Sequence, residues 1–83
     1  MGGTRQRDYS VRTDRVDTHG KVSLRYAGTM RHLGIGRAHA GLRVRIIREG
    51  PDTMVIDLAT GELLAEHTID PDRGYQPQRK RPR

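Results

Sequence analysis

Three stretches of this chain alternate polar and apolar side chains with a period of two. Val22, Leu24 and Tyr26 alternate with Ser23 and Arg25; Leu42, Val44 and Ile46 alternate with Arg43 and Arg45; Met54, Ile56 and Leu58 alternate with Val55 and Asp57. A strand presents successive side chains to opposite faces, so this pattern predicts half-buried antiparallel strands. Turn chemistry punctuates them. Asp17-Thr18-His19-Gly20 supplies a hairpin with Gly at a position that tolerates positive φ, Ala59-Thr60-Gly61 a second tight turn, and Glu49-Gly50-Pro51-Asp52 a third. Tyr9 and Val11 share one parity and Val16 has the other, which predicts a first strand with a bulge or bend near Thr13 to Arg15. Leu63 to Ile69 continues as a last strand, ended by Asp70-Pro71-Asp72 because proline cannot sit in a central ladder. Between Gly28 and Gly41 lie too many glycines for a helix, so a strand around Met30 to Leu33 followed by a loop is expected.

The fold class expected is all-β: a small five-stranded antiparallel barrel over residues 9–72, with a flexible segment at 1–8 and a flexible basic tail at 73–83. At 83 residues the chain makes one domain with a small core, burying only about 60–65% of the surface its unfolded form exposes. There is no Cys, which removes disulfides and thiolate metal sites. No apolar run approaches the length of a membrane span, and no signal-peptide segment follows Met1. The expectation is a cytoplasmic module without cofactor, membrane association or enzymatic activity.

Charge is zoned. The net charge is +6. Residues 9–48 carry nine Lys or Arg against two Asp; residues 49–72 carry seven Asp or Glu and no Lys or Arg; residues 73–83 carry five Lys or Arg. Such asymmetry points to a polyanionic partner. Arg outnumbers Lys, and its planar fork suits phosphate and guanine edges, although a GC-rich genome also favours Arg. Arg43 and Arg45 share one face of a strand, and Lys21 and Arg25 point outward from another. Were those strands side by side, the four would form one patch flanked in loops by Arg31, Arg37 and Arg48, with Arg79, Lys80 and Arg81 following in the tail. These ten residues are the candidate DNA contacts. Only three Tyr and no Phe or Trp are present, so duplex backbone binding fits better than a single-strand stacking platform.

Other chemistry is weaker. His19, His32, His39 and His67 lack the spacing and companions of a metal site. Ser10 and Ser23 sit on no nucleophile elbow. Gly34-Ile35-Gly36 lacks the third Gly and the helix of a dinucleotide fingerprint, though its amides could approach a phosphate; a sharp loop is the simpler reading. Asp57, Glu62 and Glu66 read as a solvated face rather than a two-metal site.

Val11-Arg12-Thr13-Asp14-Arg15-Val16-Asp17, Gly20 to Tyr26, His32-Leu33-Gly34-Ile35-Gly36-Arg37-Ala38-His39-Ala40-Gly41, Ala59-Thr60-Gly61-Glu62-Leu63-Leu64, Asp70-Pro71 and Tyr75-Gln76 follow one another in an order that resembles the C-terminal domain of integrase-type DDE insertion-sequence transposases, over roughly residues 8–76. The resemblance implies a Src-homology-3-like barrel that assists DNA binding and multimer assembly, with the catalytic core or other protomers as further partners. The three catalytic carboxylates belong to a separate ribonuclease-H-like core, and none of Asp14, Asp17, Asp57 or Glu62 matches that core's motif. The expected function is therefore a non-catalytic accessory domain that binds duplex DNA at element ends or target. Two other readings stay open: a protein-interaction module without DNA contact, and an RNA-binding barrel.

Overall fold

The computed structural model describes residues 9–78. Seven strands run in chain order: β1 Tyr9–Arg15, β2 Lys21–Tyr26, β3 Thr29–Gly34, β4 Arg43–Glu49, β5 Asp52–Asp57, β6 Leu63–Thr68 and β7 Tyr75–Gln76, with a short 3-10 turn, Arg37–His39, before β4. They form two sheets, of order β1-β4-β5-β6 and β2-β3-β7. Every pairing is antiparallel except the parallel β3–β7 contact. The all-β class holds. The five-stranded barrel does not: the described residues form seven strands, and the two sheets stay separate instead of closing.

One apolar cluster joins the sheets. Val22, Leu24 and Leu33 from the smaller sheet meet Val44, Ile46, Val55 and Ala65 from the larger, with Val16, Ile35 and Ile69 from the connections. Each Val, Leu or Ile among them, taken fully out of water, contributes about 1.5–3 kcal/mol and Ala65 less, so this cluster carries most of the favourable term. His67, fully buried on β6, spans the sheets by donating from Nε2 to the Gly34 carbonyl at 2.9 Å.

Local readings fare unevenly. Gly50 and Gly61 close hairpins at φ of 58° and 79°; Gly20 closes its turn at φ of 79°, but not the expected hairpin, because β1 and β2 belong to different sheets. β1 carries no bulge: it keeps an unbroken register with β4 from Tyr9↔Glu49 to Arg15↔Arg43. The parity change at Val16 marks the chain leaving the sheet for the core, where Val16 N–H donates to the Leu42 carbonyl and Gly41 N–H to the Val16 carbonyl. The register shift lies instead between Val55 and Ile56. On β5 the buried parity is Thr53, Val55 and Asp57, and Met54 and Ile56 turn outward.

The ordered chain also runs past residue 72. The Gln76 side chain is 2% exposed, accepts from Asp70 N–H at 2.8 Å and donates to the Asp70 and Arg73 carbonyls. These bonds fold 70–76 back so that β7 lies beside β3. The expected flexible segment 1–8 and the tail from Arg79 onward lie outside the described residues. Among the described residues no helix is long and apolar enough to cross a membrane.

Candidate nucleic-acid interface

The β2–β3 register sets the outward face of the three-stranded sheet. Lys21 lies opposite Gly34, Ser23 opposite His32 and Arg25 opposite Met30, with Tyr75 of β7 beside His32. Tyr75 spreads over Gly34, and a Cβ there would strike the ring and its hydroxyl. Lys21 Nζ sits 5.2 Å from the Tyr75 ring centre, a cation–π distance. Ser23 Oγ and His32 Nδ1 are 3.3 Å apart, and Arg25 Nη1 donates to the Gly28 carbonyl at 3.3 Å. None of the outward positions of this sheet is a carboxylate.

Asp17, the carboxylate nearest in sequence, is turned into its own turn. Its Oδ1 accepts Lys21 N–H at 2.9 Å and His19 N–H at 2.8 Å. Those backbone bonds, Lys21's first, hold its pKa below the ordinary carboxylate value. Arg37 enters the same neighbourhood because Gly20 packs directly on the Gly36–Arg37 backbone. Among the described residues Lys21, Arg25 and Arg37 form no ion pair, whereas Arg12 pairs with Asp14 at 3.2 Å and Arg73 with Asp70 at 3.7 Å.

The single patch expected from the sequence is not formed. It required β2 and β4 side by side, and they belong to different sheets. Arg43 and Arg45 are exposed on the outer face of the four-stranded sheet, on the far side of the core from Lys21 and Arg25. Arg31 and Arg48 are not loop residues. Arg31, on β3, shares the inward parity of Leu33 and is 6% exposed; its Nη1 donates to the Pro71 carbonyl at 2.8 Å and the Arg73 carbonyl at 3.2 Å. Arg48, on β4, shares the inward parity of Val44 and Ile46, stacks 5.3 Å from the Tyr26 ring centre and donates to the Gly50 carbonyl at 2.8 Å. Both are structural guanidinium groups. Arg79, Lys80 and Arg81 lie outside the described residues; the described chain ends at Gln78, whose Nε2 donates to the Ile35 carbonyl at 2.9 Å. Sequence reasoning missed Arg15, which the register places directly opposite Arg43.

The minor motifs resolve as well. The Ile35 and Gly36 amides both donate to the Gly20 carbonyl, at 2.8 and 2.9 Å, so the Gly34-Ile35-Gly36 loop is closed on protein rather than open to phosphate. Asp57 is buried and accepts from Ala59 N–H at 2.9 Å, which makes it a turn residue. Among the described residues no three of His, Asp or Glu gather as metal ligands would. Comparisons with protein-family models, with curated proteins and with solved structures found no match.

Proposed function

We propose that this chain is a non-catalytic C-terminal accessory domain of a DDE transposase or integrase that binds duplex DNA through the outer face of the β2-β3-β7 sheet. The observation that carries the reading is that this face holds Lys21, Arg25, His32 and Tyr75 without a carboxylate, while Asp17 beside it is bound to its own backbone. Lys21 and Arg25, with Arg37 at one end, neutralise successive phosphates, and Ser23 and the Tyr75 hydroxyl add neutral donors that set register without reading sequence. The resemblance quoted above supplies the parent protein, whose chemistry resides in a core outside this chain. Arg43 and Arg45 have no part in the surface, because they face the other way.

The test is a fluorescence-anisotropy titration of labelled duplex DNA against salt. Each phosphate neutralised adds about 0.9 to the slope of log K against log salt, so three cations give a slope near −2.7 and about a 40-fold loss of affinity between 50 and 200 mM. Lys21→Gln with Arg25→Gln lowers the magnitude of that slope by about 1.8. Absence of duplex binding at 50 mM salt, or a slope untouched by the double substitution, overturns the reading. Structured RNA displacing duplex DNA at equal concentration transfers the same face to RNA.

A further inference from the structure

His32 occupies the middle of the outer face of the β2-β3-β7 sheet. β3 is the central strand, and His32 is exposed on it between Ser23 of β2 on one side and Tyr75 of β7 on the other. Its Nδ1 lies 3.3 Å from Ser23 Oγ, and its Nε2 has no hydrogen-bond partner among the described residues. The charges around it are mainly positive. On β2, Lys21 and Arg25 stand one outward position to either side of Ser23, with Lys21 Nζ over the Tyr75 ring. Arg31, next to His32 on β3, faces inward and donates to the Pro71 and Arg73 carbonyls. Beyond Gly34, the Gly20 turn brings Arg37 and His19, and its Asp17 carboxylate is bound to backbone amides. The turn before β7, whose Gly74 carbonyl accepts His32 N–H at 2.8 Å, carries the Asp70–Arg73 pair and Asp72.

We propose that His32 makes this face a proton-coupled binding site: the imidazole takes up a proton as duplex DNA binds, and affinity rises as pH falls through the range of about 5–8 in which histidine changes charge. The inference rests on the nucleic-acid reading of this face and adds the regulation of that same site. Neutral imidazole has a single N–H, and the position asks for two. With the hydrogen on Nε2, Nδ1 is an acceptor and takes the Ser23 hydroxyl hydrogen, which is then lost to phosphate. With the hydrogen on Nδ1, Ser23 is released, but Nε2 turns a lone pair toward the phosphate. Imidazolium donates from both nitrogens: Nδ1–H to Ser23 Oγ, whose own hydrogen swings outward, and Nε2–H to phosphate. One proton thus adds a charge and a further donor whichever neutral tautomer it starts from. In the free chain Lys21 and Arg25 oppose a third positive charge between them. Phosphates drawn to those two cations reverse the local field and favour it. Proton and DNA therefore strengthen each other's binding by the same factor.

Fluorescence-anisotropy titrations of the 83-residue chain with a labelled duplex, at pH 8.5 and pH 5.5 over a series of salt concentrations, test this, with melting curves at both pH values to establish folding. At pH 8.5 the slope of log K against log salt stays near −2.7, from Lys21, Arg25 and Arg37. At pH 5.5 protonated His32 steepens it by about 0.9 and tightens binding about 8-fold at 100 mM salt, relative to a 1 M reference. Calorimetry in buffers of different ionisation enthalpy reads the proton directly; an 8-fold coupling corresponds to a maximum uptake of about half a proton per chain bound. His32→Gln keeps the pH 8.5 affinity and loses both the steeper slope and the gain, whereas His19→Gln and His39→Gln keep both. Duplex binding with the same affinity and slope at the two pH values, binding without proton uptake, or a gain that survives in folded His32→Gln overturns the inference and leaves the nucleic-acid reading standing. No duplex binding at either pH in 50 mM salt removes both.

Discussion

Replacing Arg31 with Met separates a structural cation from a ligand-binding one. Arg31 is 6% exposed, and its guanidinium forks between the Pro71 and Arg73 carbonyls at 2.8 and 3.2 Å, with a longer bond of 3.4 Å from Nε to the Tyr26 carbonyl. It thereby ties the 70–74 turn to β3. Hydrogen bonds to a charged group contribute about 1.5–3 kcal/mol each, so the two short ones set a ceiling near 3–6 kcal/mol. Two effects lower the loss. Removing the guanidinium recovers its desolvation cost. Pro71 and Arg73 are exposed residues, so their carbonyls can turn to water, and Met keeps the length and apolar contact of the stem. The net destabilisation is about 2–3 kcal/mol, a large share of the roughly 4–10 kcal/mol expected of a domain this size. At about 4–8 °C per kcal/mol, the melting temperature falls by about 8–24 °C.

Circular-dichroism melting supplies the number and hydrogen exchange supplies the location. His32 N–H donates to the Gly74 carbonyl at 2.8 Å, so its protection drops with the turn, while amides of the β4–β5 hairpin follow only the global change. Arg31→Lys, a point charge without the fork, recovers about half the loss. The reasoning fails if Arg31→Met melts within 2 °C of the original chain while its DNA salt slope falls by about 0.9, because the side chain would then be serving phosphate rather than the fold.

Asp17 and Gly20 give two further checks on the turn that presents Lys21. The lowered pKa of Asp17 stabilises the fold above the ordinary carboxylate value, and that contribution disappears as pH falls through the depressed folded value; urea denaturation at pH 5 and pH 3 therefore loses less stability for Asp17→Asn than for the original chain, and equal losses would contradict the assignment. Gly20→Ala combines a φ of 79° with a Cβ driven into the Gly36–Arg37 backbone, and lowers stability by about 3 kcal/mol or more. Gly28→Ala, at φ of 77° over open space, meets only the conformational cost of about 1–2 kcal/mol; similar values for the two substitutions would remove the close approach from the argument.

What could be read from the residues was what depends on near neighbours. The turns at Gly20, Gly50 and Gly61 were legible because Gly takes up a positive φ that other residues resist, but the β2–β3 hairpin turn at Ala27–Gly28 was not read, and the Gly20 turn joins strands of different sheets. Alternation correctly turned Arg43 and Arg45 outward. The same rule, applied strictly, also finds the inward pair: Arg31 shares parity with Leu33, and Arg48 with Val44 and Ile46. Periodicity is silent where Met54, Val55 and Ile56 are all apolar, since either parity could be buried; pairing of Val55 with Ile46 decides it. β7 had no local signal at all. It is two residues long and is held by the bonds of one buried glutamine. Sheet membership, and hence which cations share a surface, depends on long-range register and was the reading that failed.

Charge zoning along the chain becomes spatial through one turn. The boundary between the basic and acidic blocks falls at Arg48–Glu49, immediately before the Gly50 reversal that joins β4 to β5. Folding there brings Glu49 opposite Asp52, while Arg43 and Arg45 remain at the far end of β4, so a separation in sequence becomes a gradient along the strands of one face. The partners actually opposite are Ile56 for Arg45 and Met54 for Ile47, and across β1 Arg43 meets Arg15. Register alone thus fixes the gradient: cross-strand neighbours at the basic end are cation against cation or cation against apolar side chain, and at the other end Glu49 stands against Asp52.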